Sequence, residues 1–418
     1  MPITNHQIDH TVAALVEILS FAHPADAVLS RYFREHPKLG SRDRAFVAEM
    51  VFAILRRKRF LEYVAGSSAP RPLILAYLTR IDGMNTRQLE PLLKSRERDI
   101  VAEMKSRPTK DLPLGLQADF PDWLVDKLHA TLSDADILTL GRAMQQAAPL
   151  DLRVNTLLAA RDDVLAQLTR DGFDAAPTPY SSIGIRLGGK PAINKHSLFT
   201  EGKIEVQDEG SQLLGFLLAP TRHDMVVDFC AGAGGKTLML GALMNSQGRL
   251  YAFDVSDKRL AKLKPRLARS GLSNVHPQVI AGERDPRIKR LAGKIDKVLV
   301  DAPCSGLGTL RRNPDLKWRQ TPDSVAELTA KQASILESAA TLVKKGGRLV
   351  YATCSILPEE NEAIVEAFLA GHTEFKQLDC AELLRKQRIA LDTGMYLRLS
   401  PAQHATDGFF AAVLERTA

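Results

Sequence analysis

Across 418 residues the chain carries 56 lysines and arginines against 49 aspartates and glutamates, a net charge of +7 spread too thinly to name an anionic partner. Hydrophobic residues make up 45% and charged residues 25%, the balance of a globular protein, and no apolar run approaches the ~18 residues needed to span a bilayer. Four cysteines in a chain this long exclude a disulfide framework and leave a reducing cytoplasm as the expected compartment.

Residues 1–145 read as helices throughout. The N-terminus lacks a basic leader and a cleavage site, and Val12, Leu15, Val16 and Leu19 recur at helical spacing. In "SRDRAFVAEMVFAILRRKRFLEYV", Phe46, Val47, Met50, Val51, Ile54 and Leu55 form one stripe, with Ser41 as the expected N-cap. The densest basic stretches, "LRRKR" (Leu55 to Arg59) and "LRRNPDLKWRQ" (Leu310 to Gln320), read as solvated faces ahead of nucleic-acid contacts. The pattern changes near Pro149. "LDLRVNTL", "GIRLGG" and "KIEVQ" are strand candidates around the helical "RDDVLAQLTRDGF", a small α+β unit over 146–206. From 207 to 418, "MVVDF", "RLYAFDV", "KVLVDAP" and "GRLVYATC" alternate with helical patterns, and the C-terminal stretch supplies two closing strands. Short apolar strands between helices predict an α/β fold with a doubly wound, mostly parallel sheet.

The stretch "DFCAGAGGKT" (Asp228 to Thr237) resembles a phosphate loop but fails that pattern, because Cys230 stands where its first glycine belongs. The dinucleotide fingerprint fits Gly232 and Gly234 and then meets Thr237. What survives is physical: a strand ends, glycines admit a ligand close to the backbone, and a helix begins with its amides pointing outward. The next strand ends in Asp254, placed to accept hydrogen bonds from a ribose. A nucleoside-bearing cofactor follows, NAD or S-adenosylmethionine, and not a triphosphate.

Cys304 and Cys354 each lie just beyond the carboxyl end of a strand, in "DAPCSG" and "ATCS", and Cys230 lies at the same edge. In a doubly wound sheet ligands bind at that edge. No C-x-x-C pair exists and no histidine neighbours these cysteines, so no metal site is expected. Hydride transfer would need an acid to polarise a carbonyl, and none is evident in these loops. Methylation of cytosine carbon 5 fits better. A thiolate adding to carbon 6 makes carbon 5 nucleophilic enough to take a methyl group from a sulfonium. Lys236 and the helix N-terminus would favour the thiolate, whose ordinary pKa is ~8.5. Asp301 would sit near ring nitrogen 3, and a second cysteine would assist release.

The motifs "DFCAGAGGKT", "AFDVSDKRLAKL", "DKVLVDAPCSGLGTLRRNPDLKW", "GGRLVYATCSILPEENE" and "TDGFF" resemble those of the Nop/Sun RNA (cytosine-5) methyltransferases, nearest the bacterial branch acting on small-subunit rRNA. "DLRVNTL" and "VQDEGSQLL" resemble the segments that precede that catalytic core, and "SRDRAFVAEMVFAILRRKR" resembles the start of a NusB-like helical domain. The resemblance implies three parts: a helical NusB-like RNA-binding domain over 1–145, a small α+β subdomain over 146–206, and a Rossmann-like methyltransferase domain over 207–418. It also implies Cys354 as nucleophile and Cys304 as the residue aiding release, although DNA cytosine methyltransferases use the cysteine of the Pro-Cys motif, which makes Cys304 the rival. Cys230, Ala231, Gly232, Ala233, Gly234, Gly235 and Lys236 would hold the methionine part of S-adenosylmethionine. Asp254 would bind its ribose, Asp301 would line the cofactor and base pockets, and either Glu283 or Asp285 would face the adenosine.

The chain departs from the family's usual Ala-Ala-Pro-Gly-Gly-Lys in having Ala231-Gly232-Ala233-Gly234-Gly235-Lys236, which loses the proline and keeps the glycines. The expected protein is thus a cytoplasmic monomer that methylates RNA, with 16S rRNA ahead of tRNA or DNA as substrate. Arg56, Arg57, Lys58 and Arg59 are its candidate phosphate contacts. The alternative in another class is a non-catalytic RNA-binding assembly factor.

Overall fold

The computed structural model describes residues 3–418, in which no helix is long and apolar enough to cross a membrane. The chain forms two compact units. One runs to Ala147 and takes in Thr309–Pro322; the other comprises Ala148–Gly308 and Asp323–Ala418.

The first unit is helical. Its helix Ser41–Arg56 buries Val47, Met50, Val51, Ile54 and Leu55 on one stripe, with Phe46 packed at the edge of the same core. Ser41 is the first helical residue and not the cap: Gly40 holds that position without a side-chain bond. The helix breaks at Arg57, and Lys58–Ala65 starts a second one.

Both basic stretches differ from the solvated faces their charge density suggests. Arg56 is buried and its Nε donates to the Arg311 carbonyl at 2.9 Å. Burial lowers its pKa to about 10. Arg57 lies over the Phe60 ring and 3.9 Å from the Asp119 carboxylate. Lys58 pairs with Glu62 at 2.8 Å, and Arg59 with Asp122 at 2.7 Å. Lys317 is 3% exposed; its Nζ donates to the Arg56 carbonyl at 2.9 Å and to the carbonyl and carboxylate of Asp119 at 2.6 and 3.4 Å. The four residues Arg56 to Arg59 are therefore engaged within the unit, Arg56 by burial and the other three through ion pairs at its surface. Composition registers a cation but not the carbonyls and carboxylates that fold back onto it.

In the second unit, β1 (Leu150–Val154), β2 (Ala175–Pro177), β3 (Gly184–Leu187) and β4 (Ile204–Val206) form an antiparallel sheet in the order β2-β3-β1-β4. Helix Arg161–Arg170 supplies Val164 and Leu168 to its small core. Eight further strands make the main sheet: β5 (Met225–Asp228), β6 (Arg249–Asp254), β7 (Val275–Val279), β8 (Ile295–Asp301), β9 (Val343–Thr353), β10 (Phe375–Leu378), β11 (Leu397–Leu399) and β12 (Phe409–Arg416). Their order is β10-β12-β9-β8-β5-β6-β7, with β11 beside β12. Strands β5 to β9 pair in parallel and β12 runs antiparallel to β9. This is the Rossmann-like order in which the chain builds outward from β5, then returns to its other side through β8, leaving a switch point between them.

Apolar helices cover both faces. Leu213, Leu217, Leu238, Leu240 and Leu263 pack on one, and Ile335, Leu336, Val365 and Phe368 on the other. β7 and β10 lie at the sheet edges, and β7 contains Pro277, which an edge tolerates because that strand need not donate on its outer side. Helix Glu209–Leu218 is buried along its whole length. Its Gln212 donates to the carbonyls of Leu152 and Gln207, which ties the small sheet to the large one.

Replacing Lys317 by methionine keeps volume but leaves the buried Asp119 carboxylate without its ammonium. Breaking a buried pair from one side costs ~3–5 kcal/mol. Urea unfolding of Lys317→Met should show a loss of that order, and a parental midpoint would mean that the pair contributes nothing net.

Candidate active site

The carboxyl ends of β5, β6, β8 and β9 surround a cavity of ≈ 680 Å³, within the ~300–1,000 Å³ of small-ligand pockets. Asp228, Asp254 and Asp301, the last residues of β5, β6 and β8, all line it. So do Cys230, Ala231, Gly232, Ala233, Gly235, Lys236, Cys304 and Cys354. The sequence-derived residues thus come together, with two qualifications.

Gly234 does not line the cavity but turns the chain into helix Gly235–Leu243. Its φ of +82° is a left-handed conformation, and a Cβ there would meet Leu263 Cδ1 at 2.2 Å, so any side chain would be strained and would displace Leu263. Of the two acids on the adenosine side, Glu283 lines the cavity, whereas Asp285 caps the turn before Pro286–Lys289 by accepting from the amides of Ala281 and Arg287, both at 2.8 Å. Glu283 is itself engaged: Lys331 Nζ lies 2.6 Å and Ser334 Oγ 2.8 Å from its carboxylate. The Lys331 hydrogen bond is foremost in holding its pKa down to about 2.

Two arginines hold the glycine-rich loop from behind. Arg153, buried on β1, donates to the Gly235 carbonyl at 2.6 Å, and Arg266 donates to the Ala233 carbonyl at 2.6 Å. Asp254 accepts from Gly232 N at 2.8 Å, Ser256 N at 2.7 Å and Arg259 Nη2 at 3.0 Å. Each carboxylate oxygen has two lone-pair directions, so this rim acid retains capacity for a ligand hydroxyl. The buried Oδ1 of Asp228 has no hydrogen-bond partner, and its Oδ2 accepts from Thr237 Oγ1 at 2.7 Å. An orphan carboxylate oxygen in the wall suits an amino group on the ligand.

The chemistry concentrates at the other end. Lys236 Nζ lies 2.6 Å from Asp301 Oδ2. Burial disfavours the Lys236 charge, but Asp301, then Cys354 and Asp228, outweigh it and hold the ammonium above its ordinary pKa. The Cys304 and Cys354 sulfurs are 3.4 Å apart. The hydrogen bond to Cys354, burial, the Cys354 charge and Glu360 together push the Cys304 thiol well up, so it keeps its proton. Burial and the carboxylates of Asp228, Asp301 and Asp254 do the same for Cys230.

Close backbone approach fixes the two cysteine loops to the C-terminal strand. Gly308 N donates to the Cys354 carbonyl and Gly408 N to the Gly308 carbonyl, each at 2.8 Å. A Cβ on Gly308 would meet the Gly408 carbonyl oxygen at 2.1 Å.

Sequence reasoning passed over Asp228 and Glu360, although both lie inside motifs it singled out. It also missed Arg153, whose only signal was an arginine among the apolar residues of a strand.

Residues 215–415 match the family model described as 16S rRNA methyltransferase RsmB/F, and residues 120–194 match the RsmF/B-like ferredoxin-like domain. The "Probable ribosomal RNA small subunit methyltransferase B" of Synechocystis sp. is 33% identical, over 94% of this chain and 95% of that one. The crystal structure of PH0851 superposes with a TM-score of 0.82 at 28% identity, covering 100% of both chains. The structure of NSun6 from Pyrococcus horikoshii with SFG, 20% identical, covers 72% of this chain and 100% of its own at a TM-score of 0.64, a likeness of fold.

The Asp228 carboxyl generates a prediction. Burial, with Asp301 adding to it and Thr237 opposing, raises its pKa to about 7. The unfolded chain releases that proton near pH ~4. The stability this group contributes is therefore full below pH ~4 and lost as pH rises towards 7, at ~1.4 kcal/mol per unit. Asp228→Asn keeps an acceptor for Thr237 and removes the titration. Its urea midpoint should match the parent's at pH 4 and exceed it at pH 8; parallel profiles would refute the raised pKa.

Proposed function

The chain belongs to the 16S rRNA methyltransferase RsmB/F family, and on that premise we propose that it methylates carbon 5 of a cytosine in small-subunit rRNA through a covalent bond between Cys354 and carbon 6. The cofactor is S-adenosylmethionine, which supplies an electrophilic methyl group on sulfur. The observation that carries the reading is the sulfur pair: Cys304 and Cys354 at 3.4 Å, one thiol kept protonated and the other interacting with the Lys236 ammonium.

The roles follow from that arrangement. Cys354 adds as thiolate to carbon 6, and nitrogen 3 takes up a proton passed through the Asp301 carboxyl from the Lys236 ammonium hydrogen-bonded behind it, so that the adduct is neutral. Carbon 5 then carries the electron pair that takes the methyl group. Solvent water takes the carbon 5 proton as the carbon 6–sulfur bond breaks and the Cys354 thiolate is expelled, and the Cys304 thiol 3.4 Å away hydrogen-bonds to the departing sulfur. The loop Cys230 to Lys236 would hold the methionine end of the cofactor, with Asp228 at its amino group, Asp254 at the ribose and Glu283 towards the base. A cytosine must leave its stack to reach Cys354, which favours single-stranded or flipped-out RNA. Ribosomal RNA as substrate carries the cytoplasm with it as compartment.

Cys354→Ala should abolish methylation and form no adduct. Cys304→Ala keeps the attacking thiolate and loses help with release, so a protein–RNA adduct should accumulate on denaturing gels. The reverse pattern would make Cys304 the nucleophile, and intact methylation in both would sink the covalent mechanism. RNA containing 5-fluorocytosine should trap Cys354, as peptide mass spectrometry would show.

For the cofactor, calorimetry should show S-adenosylhomocysteine binding and none of NAD or ATP. Asp254→Ala should weaken that binding by ~1.5–3 kcal/mol, the worth of a hydrogen bond to a charged group. Parental affinity would remove Asp254 from the ribose.

A further inference from the structure

We propose that Glu360 is a positioning residue that sets the spacing of the two sulfurs by binding, through one buried carboxylate, the serine that follows each cysteine. The proposal deepens the covalent reading above and rests on it for its catalytic meaning.

Glu360 lies in the turn between β9 and helix Glu362–Gly371 and is fully buried. Its Oε1 accepts from Ser305 N at 2.8 Å and Gln332 Nε2 at 3.0 Å. Its Oε2 accepts from both hydroxyls, Ser305 Oγ and Ser355 Oγ, which are themselves 3.2 Å apart. Four donors thus converge on an acceptor-only group. Ser305 and Ser355 directly follow Cys304 and Cys354, so one carboxylate fastens the two loops to each other a single residue from their sulfurs.

Neighbours hold the carboxylate's own backbone in place. Tyr351 on β9 donates its hydroxyl to the Glu360 carbonyl at 2.7 Å, and Asn361 Nδ2 donates to the Ser355 carbonyl at 3.1 Å. Gln332 reaches across from helix Pro322–Ala340 and also donates to the Pro303 carbonyl at 3.0 Å, just before Cys304. Cross-links run from the clamp to both loops, whereas Glu360 does not line the cavity, so it acts through the cysteines and not on substrate. Its charge also bears on chemistry as well as spacing, since it is among the groups that keep the Cys304 thiol protonated.

The test reads spacing and turnover separately, in the full-length protein. Diamide oxidises the two thiols to a disulfide: the sulfurs surrender two electrons and two protons, and the diazene becomes a hydrazine. Peptide mass spectrometry follows closure of the Cys304–Cys354 bond. A misplacement of about 1 Å costs reactions of this kind up to ~100-fold, so Glu360→Ala should close the bond, and turn over RNA, roughly tenfold or more slowly. Glu360→Gln, which keeps shape and one acceptor oxygen, should fall between it and the parent. KM for RNA and affinity for S-adenosylhomocysteine should stay parental in Glu360→Gln.

Parental closure in both variants overturns the proposal and leaves the covalent reading intact. Slowed closure with parental kcat would show that the spacing does not govern turnover and overturns Glu360 as a positioning residue for the reaction, as does a fall in kcat matched by an equal loss of cofactor affinity. Should Glu360→Ala not fold, Glu360→Gln decides alone. Methylation by Cys354→Ala would instead remove the covalent reading, and with it the catalytic meaning of the clamp, while the closure rates still report whether Glu360 sets the spacing.

Discussion

The parallel ladder between β8 and β9 sets the height from which the two reactive loops leave the sheet. Val298 lies opposite Leu349, and the register runs unbroken to Asp301 opposite Ala352. Beyond it each strand needs only a few residues to reach its cysteine, so neither loop has slack to wander. A slip of one residue would turn the side chains of a strand to the opposite face and separate the pair. The sulfur contact, the Gly308–Cys354 backbone bond and the serine cross-link are all consequences of that register.

The polar interior is organised around the same edge. Three aspartates end three strands there, and the protein manages their charge by different means. Asp254 is met by two amides and Arg259, Asp301 by Lys236, and Asp228 by the Thr237 hydroxyl alone, and burial raises the Asp228 pKa to about 7. A site that must receive an amino group, a ribose and a pyrimidine in one cavity keeps three acids in three electrostatic conditions. Arg153 and Arg266 take up the loop carbonyls, so the loop presents its amides rather than its oxygens.

Much of this was legible in the residue order because strand ends and glycine turns obey local rules. "MVVDF" followed by glycines and a helical pattern fixes a strand, a turn and a helix N-terminus without knowledge of any distant residue. The cysteines were legible as a pair through their matching Pro-Cys-Ser and Thr-Cys-Ser contexts, and the family resemblance assigned their roles. What escaped was non-local. Arg56 and Lys317 look alike in a sequence whether they face water or a carbonyl hundreds of residues away, and only the fold brings Lys317 to Asp119. Edge strands β7 and β10 were passed over because their half-exposed residues lack the apolar run of the central strands. Glu360 hid in an acidic cluster, "PEENE", where charge usually means solvent.

The helical unit takes Thr309–Pro322 from deep within the sequence of the other unit, and that has a consequence for biosynthesis. A ribosome finishes Ala147 long before it reaches Thr309. At ~5–20 residues per second the gap of about 160 residues lasts roughly ten to thirty seconds. Throughout it the nascent helices hold Asp119 without its lysine and Leu55 without the indole of Trp318. The helical unit therefore emerges first but is completed late, and its maturation is tied to translation of the segment that follows the first of the two reactive loops.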